Sequence, residues 1–377
     1  GIDEQSAFQA FSRLFAAADV KLYLHSAKTL YHILMNYGVK CNCLVHDTEI
    51  AAYVLNPTRR KFDLSELKRE YDISGYSSAI FQISKIQRVK IDNDGLAFVF
   101  DKIELPLIDV LFNMEITGFT VDRKRLQQLS TEYAQRINDI SEQIYELAGE
   151  PFNIGSTKQL AEILFVKLGL PAKKKTKTGY STNADVLEGL RFEHPVVDMV
   201  LNYRTLTKLK STYCDGLLKV VGPDGRIHSS FNQTETRTGR ISSTEPNLQN
   251  IPVRTELGRE LRRFFVAREG WVLVDADYSQ IELRVLAHVA NDRNMIEAFR
   301  ENDDIHRRTA AQVFHVPEEM VTPLMRSRAK AVNFGIVYGI GAFSLSKDIH
   351  VTRKEAEQYI QDYLAHFSGV AAYMEHV

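Results

Sequence analysis

Cysteine is scarce in this 377-residue sequence. The three cysteines are Cys41, Cys43 and Cys214, an odd number with a single close pair. Disulfide-rich secreted folds need several pairs, and structural zinc sites need four ligands at characteristic spacings, so this set fits neither. We therefore exclude a disulfide framework and a structural zinc site, and we expect a reducing, cytosolic compartment.

Long hydrophobic runs and an excess of one charge are absent as well. No apolar run reaches the roughly 18 residues of a membrane helix, and no charged leader followed by an apolar stretch opens the chain. The 47 Lys and Arg residues balance 48 Asp and Glu to a net charge of -1, so any nucleic-acid signal must be local. The 44% hydrophobic content excludes a disordered chain. We expect two or three folded domains and no membrane contact.

The hydrophobic pattern changes along the chain. Residues 1–105 mix short apolar runs with helical stretches such as Glu49 to Leu55, which predicts a small α/β domain. The stretch Leu126 to Leu147 predicts one long helix, which Gly149 ends. The chain begins at Gly1 without methionine and ends inside a helical pattern, so we expect a piece of a longer protein.

Two further helices follow from local patterns around this long helix. After Pro106, one helix is predicted whose apolar residues recur at three-to-four spacing; they are Leu107, Val110, Leu111 and Met114. Ser156 is placed to begin the other helix, before the apolar positions Leu160, Ile163 and Leu164. The middle of the chain is therefore predicted to be a mainly helical domain.

Residues 173–182 form a loop with four lysines, several hydroxyl groups and one tyrosine. Its candidate DNA-binding residues are Lys173, Lys174, Lys175, Thr176 and Lys177. Lysines and hydroxyls contact phosphate oxygens without reading bases, which favours a loop that follows a nucleic-acid backbone. A solvated charged turn explains the same composition.

A second polar loop, residues 238–252, lies in a locally basic region. Between positions 201 and 270 there are twelve Lys or Arg residues against seven Asp or Glu. Asn, Gln and Arg side chains can reach into a minor groove and bond the acceptors that every correct base pair presents there. On composition alone, a turn-rich connector is the simpler interpretation.

The first motif with a chemical signature is the segment from Trp271 to Arg284. Its apolar beginning predicts a buried strand, and Ser279 with Glu282 predicts a capping box at the start of a helix. A carboxylate at the strand end can hold a divalent ion for phosphoryl transfer. Asp275 and Asp277 would share one strand face, so spacing alone does not choose between them. Each could also be an ordinary helix cap.

The second motif is a predicted helix that begins at Thr322-Pro323. Four residues recur every fourth position along it: Arg326, Lys330, Phe334 and Tyr338. At about 100° per residue they form one slowly winding stripe of two cations and two aromatics. Such a stripe suits a nucleoside triphosphate that lies along the helix, and Gly335 and Gly339 would let a base pair approach. A basic amphipathic helix with aromatics in the core is the alternative.

These two motifs resemble motifs A and B of the family A DNA polymerases, most of all the large fragments of low-GC Gram-positive bacteria. The resemblance covers about residues 115–377. It implies an α/β plus mainly helical architecture, in which a ribonuclease H-like, exonuclease-like domain at 1–105 precedes a right-hand polymerase. The predicted parts of that polymerase are a helical thumb at 106–230, a partial palm with motif A at 231–290, and fingers with motif B at 291–377.

The resemblance also assigns roles to individual residues. It implies that Asp277, with the backbone carbonyl of Tyr278, binds Mg²⁺ in a two-metal site, and that Glu282 excludes a ribose 2′-hydroxyl. The implied catalytic residues are Asp277, Arg326 and Lys330, and the implied dNTP-binding residues are Gln280, Glu282, His306, Arg326, Lys330, Phe334 and Tyr338. The implied minor-groove readers are Arg240, Asn247, Gln249 and Asn250, while the lysine loop matches the tip of the thumb.

The implied partners are primer-template DNA and dNTPs, with no membrane, for a monomeric, nucleoid-associated enzyme of the bacterial cytoplasm. The family's second catalytic Asp comes from a downstream His-Asp-Glu motif that this sequence lacks, so we expect this exact chain to be inactive alone. In the front domain Asp47 matches a single metal ligand of the family's exonuclease, which implies an inactive remnant of that nuclease.

A non-catalytic protein that binds the primer-template duplex is an alternative function. A single-subunit RNA polymerase is another, although Glu282 and Phe334 speak against it.

Overall fold

The computed structural model describes residues 3–17, 19–75, 77–171, 175–176, 179–253, 256–301 and 303–377. The chain divides into two compact units, residues 1–273 and 274–377. No helix in the described ranges is both long and apolar enough to cross a membrane.

The first unit is mainly helical. In chain order its helices are α1 (Glu4–Ala16), α2 (Ala27–Asn36), α3 (Thr48–Leu55), α4 (Leu64–Glu70), α5 (Ser77–Asn93), α6 (Ala97–Val99), α7 (Leu105–Thr117), α8 (Arg123–Ala148), α9 (Thr157–Ala161), α10 (Ala184–Glu188), α11 (Pro195–Lys208), α12 (Gly216–Val220) and α13 (Glu256–Arg262). Three π-helical turns continue α6, α9 and α11; they are Phe100–Glu104, Glu162–Lys167 and Leu209–Asp215.

The strands of this unit are short and pair two by two. They are β1 (Leu22–Leu24), β2 (Leu44–Asp47), β3 (Phe119–Thr120), β4 (Lys175–Thr176), β5 (Gly179–Tyr180), β6 (Arg226–Ile227), β7 (Ser230–Asn232) and β8 (Ser242–Thr244). β1 and β2 are parallel, with Leu24 opposite Asp47. The pairs β3–β6, β4–β5 and β7–β8 are antiparallel. The α/β prediction for residues 1–105 therefore corresponds, in the described residues, to one two-stranded sheet with helices.

Separate hydrophobic clusters hold these elements. Tyr31, Ile50 and Phe100 belong to one front cluster, and Tyr53, Phe62 and Leu67 to a second. A third cluster packs α8 against the helices that follow it, and a fourth joins α8 to the strands and to α13. Because each cluster spans distant segments, hydrophobic burial fixes the chain path through the first unit.

The second unit is helical throughout its described residues. Its helices are α14 (Ile281–Val289), α15 (Arg293–Arg300), α16 (Ile305–Phe314), α17 (Pro323–Val337), α18 (Ala342–Asp348), α19 (Arg353–His366) and α20 (Ser368–His376), with a 3-10 turn at Glu318–Met320. Leu283, Met295, Val332 and Tyr363 lie at the centre of its core. This core supports α14 and α17, which carry the two sequence motifs.

Local helix signals were confirmed, but only some of the apolar positions noted after Pro106 are buried. Ser156 caps α9 by accepting a hydrogen bond from the Gln159 amide, and Gly149 ends α8 at a φ of 73°. On α7 the buried residues are Ile108, Leu111 and Glu115, whereas Val110 and Met114 are about half exposed. Nearly every side of α7 is apolar, so hydrophobicity did not identify its inner side. The buried Glu115 shares that side and pairs with the partly exposed Lys28.

Candidate functional site

Helix α17 presents the predicted stripe on the side opposite its buried residues. Thr322 caps the helix by accepting a hydrogen bond from the Met325 amide, and Pro323 takes the first position, as predicted. The buried side carries Ala329, Val332, Asn333 and Ile336. Arg326 and Lys330 are exposed and Phe334 is partly buried, so the cations remain accessible to a ligand.

Arg326 pairs with Asp304, whose carboxylate also caps α16. Arg326 Nε donates to Asp304 Oδ2 at 2.5 Å, and the backbone amides of His306 and Arg307 donate to Oδ1. Burial by itself would raise the pKa of Asp304, but the hydrogen bonds from Arg326 and the backbone outweigh it and lower the pKa. The carboxylate therefore stays ionised and holds the guanidinium in place.

His306 is buried beneath the stripe, with 2% of its surface exposed. Burial, opposed by Asp304 and assisted by Arg326 and Lys330, lowers the pKa of His306 to about 4. The Asn333 side chain accepts a hydrogen bond from Thr309 and places its nitrogen 3.0 Å from His306 Nδ1. Because the neutral ring accepts at Nδ1, its proton lies on Nε2.

Sequence reasoning missed Asn333. The available signal was a polar side chain on the apolar side of the helix, three residues after Lys330.

The aromatic part of the stripe contacts both His306 and Lys330. The ring centroids of His306 and Phe334 are 5.7 Å apart. Lys330 Nζ lies 5.9 Å from the Phe334 ring centroid, at the outer limit of a cation–π contact. The structure thus places these three predicted dNTP-binding residues next to one another.

Tyr338 and Glu282 connect α17 to α14. The Tyr338 hydroxyl donates to the Glu282 carboxylate at 2.5 Å, and the Tyr338 side chain is 60% exposed. Tyr338 is the C-cap residue of α17, and Glu282 lies in the first turn of α14. Two motifs that are 56 residues apart are therefore joined directly.

Gly335 and Gly339, near the end of α17, are glycine for different structural reasons. A Cβ at Gly335 would lie 2.5 Å from Ile340 Cγ2, so packing within the protein requires glycine there. Gly339 has a φ of 70°, with open space where its Cβ would be. At Gly335 the packing of Ile340 already requires glycine, and at Gly339 the positive φ favours it, so neither glycine depends on a base pair to explain it.

The segment before α14 differs from its prediction. Residues 271–278 have neither helix nor strand, and Trp271, Val272 and Val274 are 65%, 80% and 85% exposed. A strand is stable only when its amides and carbonyls are paired. No described strand pairs with residues 271–278. The predicted buried strand is therefore wrong for this structure.

The predicted capping box is also absent. Gln280 is the N-cap residue of α14, in the left-handed region at a φ of 47°, and no side chain caps the helix. Ser279 Oγ donates to Gln280 Oε1 at 2.7 Å. The Glu282 carboxylate accepts a hydrogen bond from Tyr338. A long-range hydrogen bond has replaced the local one.

Asp277 is the candidate metal ligand in this exposed segment. Its carboxylate accepts no hydrogen bond from any described residue, so its oxygens can take a cation. Carboxylate and carbonyl oxygens, such as those of Asp277 and Tyr278, are the donors that Mg²⁺ prefers. However, no group of three or more His, Cys, Asp or Glu side chains within the described ranges could hold a metal ion. The donors fit Mg²⁺ but form an incomplete set.

The first unit carries the predicted DNA-contacting residues. The side chains of Arg240, Asn247, Gln249 and Asn250 are exposed around the β7–β8 hairpin. Gln249 Nε2 donates to the Ile241 carbonyl at 2.8 Å, and the Tyr213 hydroxyl donates to the Asn250 carbonyl. The loop backbone is thus fixed, while the four side chains, including that of Gln249, stay exposed.

The lysine loop is described only in part. Lys173, Lys174 and Lys177 lie outside the described residues, and Lys175 and Thr176 are described by the backbone of β4 alone. Nearby, a cavity of about 960 Å³ is lined by residues including Lys158, Arg204 and Lys208.

Asp47 in the front domain is buried, and both of its oxygens accept backbone hydrogen bonds. Its Oδ1 accepts from the amides of Glu49 and Ile50 at 2.8 and 3.2 Å, and Oδ2 accepts from Ala27 at 2.6 Å. Burial, partly opposed by these hydrogen bonds, raises the pKa of Asp47 to about 6. The carboxylate caps α3 and ties down the first residue of α2, which leaves little capacity for a metal.

Two family descriptions match the chain. The family described as "DNA polymerase family A" matches residues 123–377. The description "DNA polymerase I, ribonuclease H-like domain" matches residues 2–79. The predicted combination of a ribonuclease H-like front domain with a polymerase is thereby confirmed.

Curated proteins with similar sequences include bacterial DNA polymerases I. DNA polymerase I of Bacillus subtilis (strain 168) is 45% identical over 385 residues, covering 94% of this chain and 44% of that protein. DNA polymerase I of Geobacillus stearothermophilus is 46% identical over 370 residues, covering 90% of this chain and 42% of that protein. The chain thus spans less than half the length of these relatives.

A solved structure resembles the whole chain. It is described as the POL domain of Pol1 from M. smegmatis in complex with DNA primer-template and dNTP. The TM-score is 0.89 at 38% sequence identity, and the match covers 100% of this chain and 68% of that one.

Proposed function

Because the chain belongs to DNA polymerase family A, we propose that it is part of a bacterial DNA polymerase I and serves template-directed DNA synthesis. The observation that carries this proposal is the stripe of Arg326, Lys330 and Phe334 on α17, which is joined through Tyr338 to Glu282 of motif A. The similarity to a polymerase solved with primer-template and dNTP supports it.

The proposed reaction is attack of a primer 3′-hydroxyl on the α-phosphate of a dNTP. The 3′-hydroxyl loses its proton to solvent as its oxygen bonds to the α-phosphorus, and the bond from the α-phosphorus to the bridging oxygen breaks to release pyrophosphate. Arg326 and Lys330 neutralise the negative charge that grows on this leaving group. His306, neutral and protonated at Nε2, adds a hydrogen-bond donor beneath them when the ligand is bound.

Substrate selection is proposed to involve the other end of the stripe. Phe334 packs against the sugar, Tyr338 stacks at the template position, and Glu282 occupies the space that a 2′-hydroxyl would need. Gln280 completes the dNTP-binding set. The hydrogen bond between Tyr338 and Glu282 supports a shared location for these roles. In the longer protein, Glu282→Ala should relax discrimination against ribonucleotides, whereas unchanged discrimination would count against this steric role of Glu282.

Primer-template DNA is proposed to bind the first unit. Arg240, Asn247, Gln249 and Asn250 offer donors to minor-groove acceptors, and this class of contact does not depend on base sequence. Lys173, Lys174, Lys175, Thr176 and Lys177 would contact phosphates of the duplex product. The exposure of the first four side chains supports this proposal.

Mg²⁺ is proposed to be held by Asp277 and the Tyr278 carbonyl. The ion, when bound, neutralises charge on the transferring phosphate. Since the described residues supply no three-ligand group, we propose that synthesis needs a further carboxylate.

The front domain is proposed to be inactive as a nuclease, because the Asp47 oxygens already accept backbone hydrogen bonds. A monomeric state and a location at the bacterial nucleoid are also part of the proposal.

Primer extension with Mg²⁺ and four dNTPs tests this function. The chain is compared with a longer protein that continues through the family's His-Asp-Glu motif. We expect only the longer protein to extend the primer, while both bind primer-template. If both bind but neither extends, the non-catalytic alternative is favoured. If the 377-residue chain extends the primer, a second ligand is already present, with Asp275 the first candidate.

A further inference from the structure

The hairpin loop, residues 233–241 between β7 and β8, is held from outside by the front domain. At its base, the Phe231 amide donates to Glu115 at 2.7 Å, and Lys28 donates to the Phe231 carbonyl. The Gln233 side chain donates to the backbone and the carboxylate of Glu104 at 3.0 and 2.8 Å. Helix α2 and the π-helical turn Phe100–Glu104 of the front domain, together with the following helix α7, therefore fix the start of this loop.

Helix α3 continues the attachment toward the loop tip. Glu49 accepts a hydrogen bond from the Thr234 hydroxyl at 3.2 Å. One turn later on α3, the Tyr53 hydroxyl donates to the Thr236 carbonyl at 2.8 Å and accepts from the Gly239 amide at 3.0 Å. Residues four apart lie on one face of a helix, so α3 presents this face to the loop.

Tyr53 is suited to fix the turn because its ring cannot move freely. The side chain is 4% exposed and packs edge-on against Phe62, with ring centroids 5.8 Å apart. The turn is closed from within by the Thr236 hydroxyl, which donates to the Arg240 carbonyl at 2.6 Å. A rigid phenol and one internal hydrogen bond thus set the backbone that leads into Arg240.

We propose that the front domain is the scaffold of the DNA-contacting hairpin loop, with Tyr53 as a positioning residue for Arg240. This inference rests on the proposed DNA-binding role of the loop. A loop that is already ordered loses less conformational entropy when it binds, so fixing the turn strengthens primer-template binding without any contact between Tyr53 and DNA. The front domain would then contribute to the polymerase without nuclease chemistry.

Tyr53→Phe tests the proposal because it keeps the ring and removes only the bridging oxygen. We expect primer-template affinity of the 377-residue chain to fall about fivefold by fluorescence anisotropy. The slope of affinity against salt should stay the same, since no phosphate contact is lost. Hydrogen exchange in peptides covering 236–240 should accelerate. Tyr31→Phe is the matched control, since Tyr31 is a buried tyrosine of the same domain, in the other front cluster, and it should change neither affinity nor this exchange.

A double-mutant cycle separates this inference from the proposed function. On an Arg240→Ala background, Tyr53→Phe should cost less than about twofold in affinity, because the positioned side chain is already gone. Full additivity would overturn the inference, and so would normal affinity of Tyr53→Phe alongside weakened Arg240→Ala. If Arg240→Ala itself binds normally, the DNA-contacting role of this residue and the inference both fail. Unchanged exchange at 236–240 in Tyr53→Phe would overturn the anchoring itself.

Discussion

Asp47 and Asp277 are two carboxylates with similar sequence contexts and opposite surroundings. Each follows a short apolar run and precedes a helix. Asp47 is 1% exposed and accepts three backbone hydrogen bonds. Asp277 lies in an exposed segment and accepts none from the described residues. A carboxylate can hold helices together or take a metal ion, and the partners of its oxygens decide which.

The largest expected effect is on catalysis by Asp277. In the longer polymerase, Asp277→Ala should lower the rate of primer extension by about 10³-fold or more, because a metal-binding oxygen pair is removed. Its free energy of unfolding should change by less than about 0.5 kcal/mol, since the side chain is exposed. Single-turnover extension and urea denaturation measure the two quantities. A stability loss with normal extension would reverse the roles of the two carboxylates.

Asp47→Ala should have the complementary effect on stability. It leaves three amides without their acceptor and removes links to two helices, so the free energy of unfolding should fall by about 3 kcal/mol. Asp3→Ala is the control, because Asp3 caps only α1 at an exposed site, and should cost about 1 kcal/mol. Primer extension by the longer protein should persist below its new melting temperature. Release of 3′ nucleotides that depends on Asp47 would contradict the proposal of an inactive nuclease.

Lys330→Ala sharpens the comparison within the second unit. In the longer polymerase, we expect kcat/KM for dNTP incorporation to fall by about 10²-fold, because a cation that is proposed to stabilise the transition state is lost. Lys347→Ala is a matched control, since Lys347 Nζ also lies over an aromatic ring, 4.5 Å from the Phe343 centroid. That variant should stay within about twofold of the parent. A tenfold or smaller loss in Lys330→Ala would place Lys330 away from the phosphates.

The smallest expected effects are opposite pH dependences in the two units. Asp47 has a pKa of about 6 in the folded protein, above its ordinary 3.8, so its favourable contribution is lost as pH rises from about 4 to 6. His306 has a folded pKa of about 4, below 6.5, so its contribution is lost as pH falls from about 6.5 to 4. Asp47→Asn and His306→Gln should therefore change the slope of unfolding free energy against pH in opposite directions. Equal slopes in both variants would contradict these assignments.

The sequence predicted the features that depend on neighbouring residues. The N-cap at Thr322, the end of α8 at Gly149 and the helix α3 were all predicted from short patterns and are confirmed. A capping-box pattern in the sequence can fail to form where a distant residue binds one of its side chains. Thr352 and Glu355 form a complete capping box, whereas α14 begins after Gln280 and Glu282 accepts a hydrogen bond from the distant Tyr338.

Long-range contacts account for the rest of what was missed. The bond from the Ala27 amide to Asp47 spans 20 residues, and no local pattern reports it. The position of Asn333 against His306 depends on the packing of α16 on α17. Likewise, a strand at Trp271 to Val274 requires a pairing partner, which hydrophobicity alone cannot supply. The residue types of the candidate site were readable from the sequence, but their hydrogen-bond partners were not.

Under the proposed role of Arg326 in triphosphate binding, its ion pair with Asp304 makes that binding an exchange of anions. An arriving phosphate does not meet a bare guanidinium, because a carboxylate already accepts its Nε–H at 2.5 Å. The gain in affinity at Arg326 is therefore the difference between two charge-assisted hydrogen bonds, and it grows with the charge of the incoming group. A ligand with several negative charges displaces the Asp304 carboxylate more readily than one with a single charge. The affinity at Arg326 therefore increases with the negative charge of the ligand.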